Sequence, residues 1–336
     1  MEHDLLTGVA ARQATRADGD LPVLDQDVAV KVPSALRSRR EVRLGVIAHV
    51  FYPDFASTLA SVMSRLPPSA RLYVSTDTQA KAEQIRATLA DHGARLDCRI
   101  TPNRGRDIAP RLIAFADVFD ACDLVLMLHS KKSLHDPELE GWGDFLVHHL
   151  AGSRDIADSI IGFFEADDRL GMVGAQHFPP IRRWCVWTND LAGCKVLGRR
   201  LGVRITRYSR LDFPSGSMFW ARPQALRPLL DLRLGWEEFP DEQGQIDGTL
   251  AHAIERLLYY CCEAAGYRWL KVADPALFPR TGPIVEVNDA TALHRFLARR
   301  ADLLGLRWPW LRMRATSFKP GASMMMLRRL LGIAPT

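Results

Sequence analysis

The sequence predicts an α/β protein, a mostly parallel sheet flanked by helices. Three observations carry this. Apolar runs of strand length alternate with segments of helical period between Val42 and Ser130. The run Leu124–Leu128 (LVLML) contains no polar residue, as a strand covered on both faces requires. Each run ends in a polar cluster, and ligands of open parallel sheets sit beyond the carboxyl ends of the strands.

The elements follow in order. Residues 1–40 lack a sustained apolar period and close on the basic run RSRR, so a flexible leader is expected. Val42–Val50 is the first strand, Phe55–Leu66 a helix, Arg71–Thr76 the second strand, and Thr78–Gly93 a helix ended by glycine. Arg95–Thr101 is the third strand. A helix over Asp107–Phe119 accommodates Pro110 only in its first turn. Asp123–Ser130 is the fourth strand. Parallel strands need such crossovers. Beyond them the reading gives helices over Pro137–Leu150 and Arg154–Glu165, a strand over Leu170–Ala175, an Arg- and Trp-rich loop over Pro179–Asn189, a strand over Ser215–Ala221 and a long helix over Gly248–Gly266. From residue 286 onward Leu, Met and Trp are interleaved with arginines, the pattern of a basic amphipathic helix that packs on the body or a second subunit, or attaches to anionic lipid. The expected organisation is a leader (1–40), an α/β domain (41–285) and a basic helical segment (286–336).

Composition narrows the class. The 336 residues are 47% hydrophobic and 25% charged, with a net charge of +5. Those values suit a globular core and a preference for anionic partners. No nucleic-acid motif or Lys/Arg-aromatic ladder appears, so nucleic acid is not an expected partner. The six cysteines form no CxxC pair, which argues against zinc and a disulfide framework and suits a reducing cytoplasm. Neither a signal peptide nor an apolar run long enough to cross a bilayer is read.

The strand ends bring candidates together. They are His49 after the first strand, Asp77 after the second, Asn103, Gly105, Arg106 and Asp107 after the third, and His129, Ser130, Lys131 and Lys132 after the fourth. A glycine between two arginines at a helix start suits an anion, or is a tight turn with Asp107 as the cap. Two lysines after an all-apolar strand could neutralise a diphosphate, or form a salt-bridged loop. His129 reads as a hydrogen-bonding link. No acidic pair follows that strand, so a metal site is not expected. Downstream lie Ser215, Gly216 and Ser217, then Asp247 before a helix. Asp247 is either a cap or a general base, with Glu242, His252 and Glu255 as nearby alternates. Trp184, Trp187 and Trp220 could stack on a bound ligand or fill the core.

At these residues the chain resembles the rhamnan synthesis protein F family, glycosyltransferase-like proteins of bacterial surface-polysaccharide assembly. The segments that carry the resemblance are AHVFYPD, STDT, NRGRDIAP, LHSKKS, PSGSMFWAR and GQIDGTLAHAIER, spread over Val42 to Asp274. The resemblance implies a Rossmann-like GT-A fold and transfer of a sugar, L-rhamnose or another deoxyhexose, from a nucleotide-diphosphate donor to a lipid-linked glycan. Asp77 would touch the nucleotide, and Asn103, Gly105, Arg106 and Asp107 would line the donor pocket. His129, Ser130, Lys131 and Lys132 stand where such enzymes carry DxD, and Asp247 stands at the position of the base. With HSKK in that place, lysines rather than a divalent ion would hold the diphosphate, and no cofactor is expected. A cytoplasmic protein at the inner face of the plasma membrane is implied, its basic tail the contact with lipid. The rival expectation is a non-catalytic sugar-nucleotide or glycan-binding scaffold. A weaker one is a metal-dependent nucleotidyltransferase.

Overall fold

The structure is a computed structural model that describes residues 28–38, 40–131, 137–242, 247–277 and 284–304. Among the described residues nine strands form one sheet: β1 (Ala29–Lys31), β2 (Leu44–His49), β3 (Arg71–Thr76), β4 (Leu96–Ile100), β5 (Leu124–His129), β6 (Leu170–Ala175), β7 (Phe219–Ala221), β8 (Arg268–Ala273) and β9 (Ile284–Val285). Their spatial order is β4-β3-β2-β5-β7-β6-β8-β1-β9. The α-helices are α1 (Phe55–Arg65), α2 (Gln79–Thr88), α3 (Ile108–Ile113), α4 (Trp142–Ala151), α5 (Arg154–Ala166), α6 (Leu191–Arg200), α7 (Arg227–Leu230), α8 (Leu250–Ala264) and α9 (Ala290–Leu304). Two apolar clusters cover the two faces of the sheet, as the fully buried β2, β5 and β6 require.

All pairings are parallel except those of β7, which runs against both β5 and β6. Two features of this topology build the site. The chain moves outward from β2 to β3 and β4, then returns to the other side of β2 as β5. That is the strand-order reversal at which a crevice opens. Because β7 points the other way, its beginning lies beside the end of β5, with Phe219 opposite Met127. The Ser215–Ser217 turn before β7 is thereby brought to the edge where His49 and His129 end.

The structure departs from the sequence reading in several places. Ala29–Lys31, expected in a leader, lie inside the sheet between β8 and β9, a pairing across most of the chain that no local pattern announces. The expected strand over Ser215–Ala221 begins only at Phe219, because Gly216 and Ser217 adopt φ of 80° and 54° and turn the chain. The expected helix from Asp107 ends at Ile113. Helix α6 and strands β8 and β9 had no counterpart in the reading. Part of the basic C-terminal segment, α9, buries Leu293 and Leu297, and His294 Nε2 donates to the Ala166 carbonyl at 2.8 Å. Its remainder, 305–336, lies outside the described residues. Among the described residues no helix is long and apolar enough to cross a membrane.

Candidate active site

A cleft of about 390 Å³ opens at the strand-order reversal. The sheet edge supplies His49, His129, Ser130 and Lys131. The turn after β4 supplies Asn103, Arg106 and Asp107. Gly216 and Ser217 come from the β7 turn, and Ala251, His252 and Glu255 from α8. Phe51, Tyr52, Ile108 and Glu242 complete the wall.

His49 and His129 are register partners at the ends of neighbouring strands. His129 Nε2 donates to the Gly216 carbonyl at 2.7 Å, so the histidine links β5 to the β7 turn. His49 Nδ1 lies 3.0 Å from Ser75 Oγ. Burial lowers both imidazoles to about 4, so both are neutral at physiological pH. Ser130 Oγ accepts from the Phe51 and Tyr52 amides at 2.8 and 3.1 Å, which folds the segment after β2 over the cleft.

Asp107 stands before α3 but makes no side-chain cap; its carboxylate pairs with Arg111 one turn on. Arg111 is buried and also donates to the Ser217 carbonyl at 2.6 Å, tying the β4–α3 turn to the β7 turn. Burial alone would raise the pKa of Asp107, but His129, Arg111, His49 and Lys131 around it bring it down to about 2, where the two imidazoles are themselves protonated. With the imidazoles neutral at physiological pH, the standing counter-charges are Arg111 and Lys131. Lys131 Nζ lies 3.7 Å from the centre of the Trp142 ring. Burial lowers its pKa, while Glu255 and Asp107 oppose that shift. Glu255 accepts from the Gly216 amide at 2.7 Å.

Arg106 has φ 55°, a left-handed conformation that a non-glycine residue adopts at a cost. Its amide donates to Glu242 at 3.0 Å, and its guanidinium donates to His252 Nε2 at 2.7 Å. Its Nδ1 accepts from the Thr249 amide at 3.3 Å and lies 2.8 Å from Thr249 Oγ1. Burial first, then Arg106, lowers His252 to about 4.

Other expected site residues lie elsewhere. Gly105 does not line the cleft. A Cβ there would come within 2.5 Å of the Phe239 ring and the Ala109 side chain, so this glycine serves packing and a φ of 66°. Asp77 pairs with Lys81 at 2.7 Å, and Lys81 stacks on the cleft residue Phe51. Ser215 Oγ is turned away, 2.9 Å from His177 Nδ1. Trp220 is fully buried, donating to the Leu150 carbonyl, and Trp187 is buried against Ser209. Trp184 is exposed but stands beside Arg183, outside the cleft wall. Lys132 lies outside the described residues.

Asp247 is neither the cap of α8 nor part of the cleft wall. Gly248, at φ 85°, turns the chain, and Thr249 occupies the cap position with His252 as its partner. Asp247 stands behind His252, 3.5 Å from Arg256, and shares a hydrogen bond with Asp190. Burial first, then Asp247, raises Asp190 to about 7. Asp190, Asp247 and His252 bring potential ligand atoms within 4.8 Å of one another. Arg256, 2.7 Å from Asp190, already supplies a positive charge there, so the group does not fit a divalent ion well. Glu255 and His252 were legible as the pair three residues apart on one helix face. Phe51 and Tyr52 carried no chemical signal beyond following a strand.

The family model for rhamnan synthesis protein F matches residues 9–267. The chain belongs to the rhamnan synthesis protein F family. This places it in polysaccharide biosynthesis. The family member is also 34% identical over 272 residues to the uncharacterized protein WxcX of Xanthomonas campestris pv. campestris, in strains B100 and ATCC 33913. The match covers 80% of this chain and 37% of the relative, so the rhamnan synthesis F chain spans little more than a third of that protein's length.

Proposed function

We propose that this protein is an inverting, metal-independent glycosyltransferase of GT-A-like fold. It moves a sugar, L-rhamnose or another deoxyhexose, from a nucleotide-diphosphate donor onto a growing cell-surface polysaccharide on a lipid carrier. The observation that carries the reading is the presence of Lys131, Arg106 and Glu255 in the wall of one cleft at the strand-order reversal. In a single displacement, Glu255 takes the proton of the acceptor hydroxyl as its oxygen attacks the anomeric carbon. The bond from that carbon to the diphosphate breaks on the opposite face. Lys131 and Arg106 neutralise the departing diphosphate, the hardest part of the step. An anion in the cleft and the charged form of Lys131 favour each other. The base role goes to Glu255 rather than Asp247, because Asp247 lies behind His252 and against Arg256. Asp107 is unsuited to it, since its ion pair with Arg111 leaves it a very weak base.

The second reading is a binding module without turnover. It is favoured by the engagement of the cleft carboxylates: Asp107 with Arg111, Glu242 with Arg106, and Glu255 with Gly216. Release of nucleoside diphosphate from a panel of nucleotide-sugar donors, with and without EDTA, separates the two. The enzyme reading expects turnover indifferent to EDTA. It also expects Glu255→Gln to cut transfer about a hundredfold or more with donor Kd nearly unchanged. Lys131→Ala weakens donor binding. Tight nucleoside-diphosphate binding with no release from any donor assigns the protein to the second reading.

A further inference from the structure

Helix α6 and the turn after it carry positive charge that the cleft does not use. From Leu191 to Leu211 the sequence contains no Asp or Glu, yet it holds Lys195, Arg199, Arg200, Arg204, Arg207 and Arg210. The local fold concentrates these charges. The helix ends in a glycine turn: the Gly202 amide bonds the Arg199 carbonyl at 3.2 Å, and the Val203 amide bonds the Gly198 carbonyl at 2.8 Å. Gly202 adopts φ 74° to make this reversal. The returning chain lies so close to the helix that a Cβ on Gly198 would sit 2.8 Å from Ile205. Ile205 is buried, and Arg204 is thereby held beside the helix face that bears Lys195 and Arg199. Together they line a groove of about 490 Å³.

Pairing separates these cations. Arg200 bonds Glu238 at 2.7 Å, and Arg210 bonds Glu263 at 3.1 Å. Lys195, Arg199 and Arg204 have no carboxylate partner among the described residues. Arginines in a last helical turn complement the helix dipole, which accounts for Arg199 and Arg200 but not for Lys195 or Arg204. Apolar side chains stand exposed among the charges: Val196 is 54% exposed, and Tyr208, stacked with Arg207, is 39% exposed.

We propose that this face docks on an anionic bilayer, with lipid phosphates in the groove between Lys195, Arg199 and Arg204 and with Val196 and Tyr208 entering the headgroup layer. Unpaired cations interleaved with exposed apolar groups suit a headgroup layer, which offers phosphate at its surface and apolar contact just below. A soluble polyanion would use only the charges. The surface is built from residues 191–211 rather than from the basic C-terminal segment, and the inference does not depend on sugar transfer.

Co-sedimentation of the full chain with phosphatidylcholine vesicles, with and without phosphatidylglycerol, tests this. The wild type is expected to bind only the mixed vesicles, and more weakly as salt rises. Each cation removed should weaken partitioning about fivefold, and the Lys195→Ala/Arg199→Ala/Arg204→Ala variant about a hundredfold. That variant keeps the C-terminal segment and the cleft intact, and an unchanged circular dichroism spectrum and urea midpoint serve as its folding control. Val196→Ser, which changes no charge, should weaken vesicle binding with every cation kept. Equal sedimentation of the triple variant and wild type overturns the proposal. So does wild-type binding to a soluble polyanion such as heparin with none to vesicles.

Discussion

Histidine behaves in opposite ways in two buried polar clusters of this protein. In the cleft, burial lowers His49 and His129 to about 4, and among the described residues no carboxylate bonds either ring. At the end of β6, His177 is just as buried, yet its Nε2 lies 3.1 Å from the Asp212 carboxylate and its Nδ1 faces Cys185 at 3.8 Å. Burial opposes charge there too, but Cys185 and Asp212 outweigh it and raise His177 to about 9. Asp212 is in turn held by Lys271 at 3.0 Å, with both side chains fully buried. Depth alone therefore does not set the charge of an imidazole; the contact atom does. The cleft keeps its rings neutral and its cations for a ligand, whereas in the second, closed cluster the carboxylate of Asp212 answers both His177 and Lys271. The two clusters meet at one point, since Ser215 touches His177 while its neighbour Gly216 bonds His129.

The largest effect that could break this comparison comes from the closed cluster. Asp212→Asn leaves Lys271 buried without its counter-charge, and a loss of about 3–5 kcal/mol in urea unfolding is expected. A loss below about 1 kcal/mol would mean that Asp212 does not answer Lys271 as described.

The pH dependence of stability is next. His129 has a folded pKa below its unfolded value, so its contribution is present above pH 6.5 and is lost as pH falls towards about 4. For His177 the folded value is raised, so the contribution is full below pH 6.5 and is lost as pH rises through about 9. Each amounts to at most about 3 kcal/mol. The stability gap between wild type and His129→Gln should therefore narrow towards acid, and that for His177→Gln towards alkali. Gaps that move in the same direction would remove the contrast.

The smallest effect sharpens the cleft boundary. Asp77 pairs with Lys81 near the surface and does not line the cleft, so Asp77→Asn should change stability by about 1 kcal/mol or less and leave nucleoside-diphosphate affinity intact. A large loss of affinity by calorimetry would move the nucleotide towards β3.

Strands β2, β5 and β6 were legible because each is a short apolar run, whereas β3 and β4, with polar residues inside RLYVST and LDCRI, were legible from the strand–helix alternation; several of the polar positions at the strand ends line the cleft. Strand β8 was hidden by Lys271, a charge in the middle of a core strand that makes sense only once Asp212 is placed beside it. Strand β1 was hidden because three residues cannot show a period, and their partners lie at the other end of the chain. Asp247 looked like the functional carboxylate because it precedes a helix. The turn at Gly248 sends it behind His252 and leaves Glu255, one helical turn inside α8, at the cleft.

By itself the sequence determined the α/β class, the succession of local elements and the polar character of the strand ends, because side-chain pattern acts over a few residues. The tertiary structure decided which of those polar groups share a space. The antiparallel course of β7, the return of β5 to the inner side of β2 and the pairing of Lys271 with Asp212 are long-range contacts. Their stability comes from backbone pairing and charge compensation between distant segments, which no local window contains.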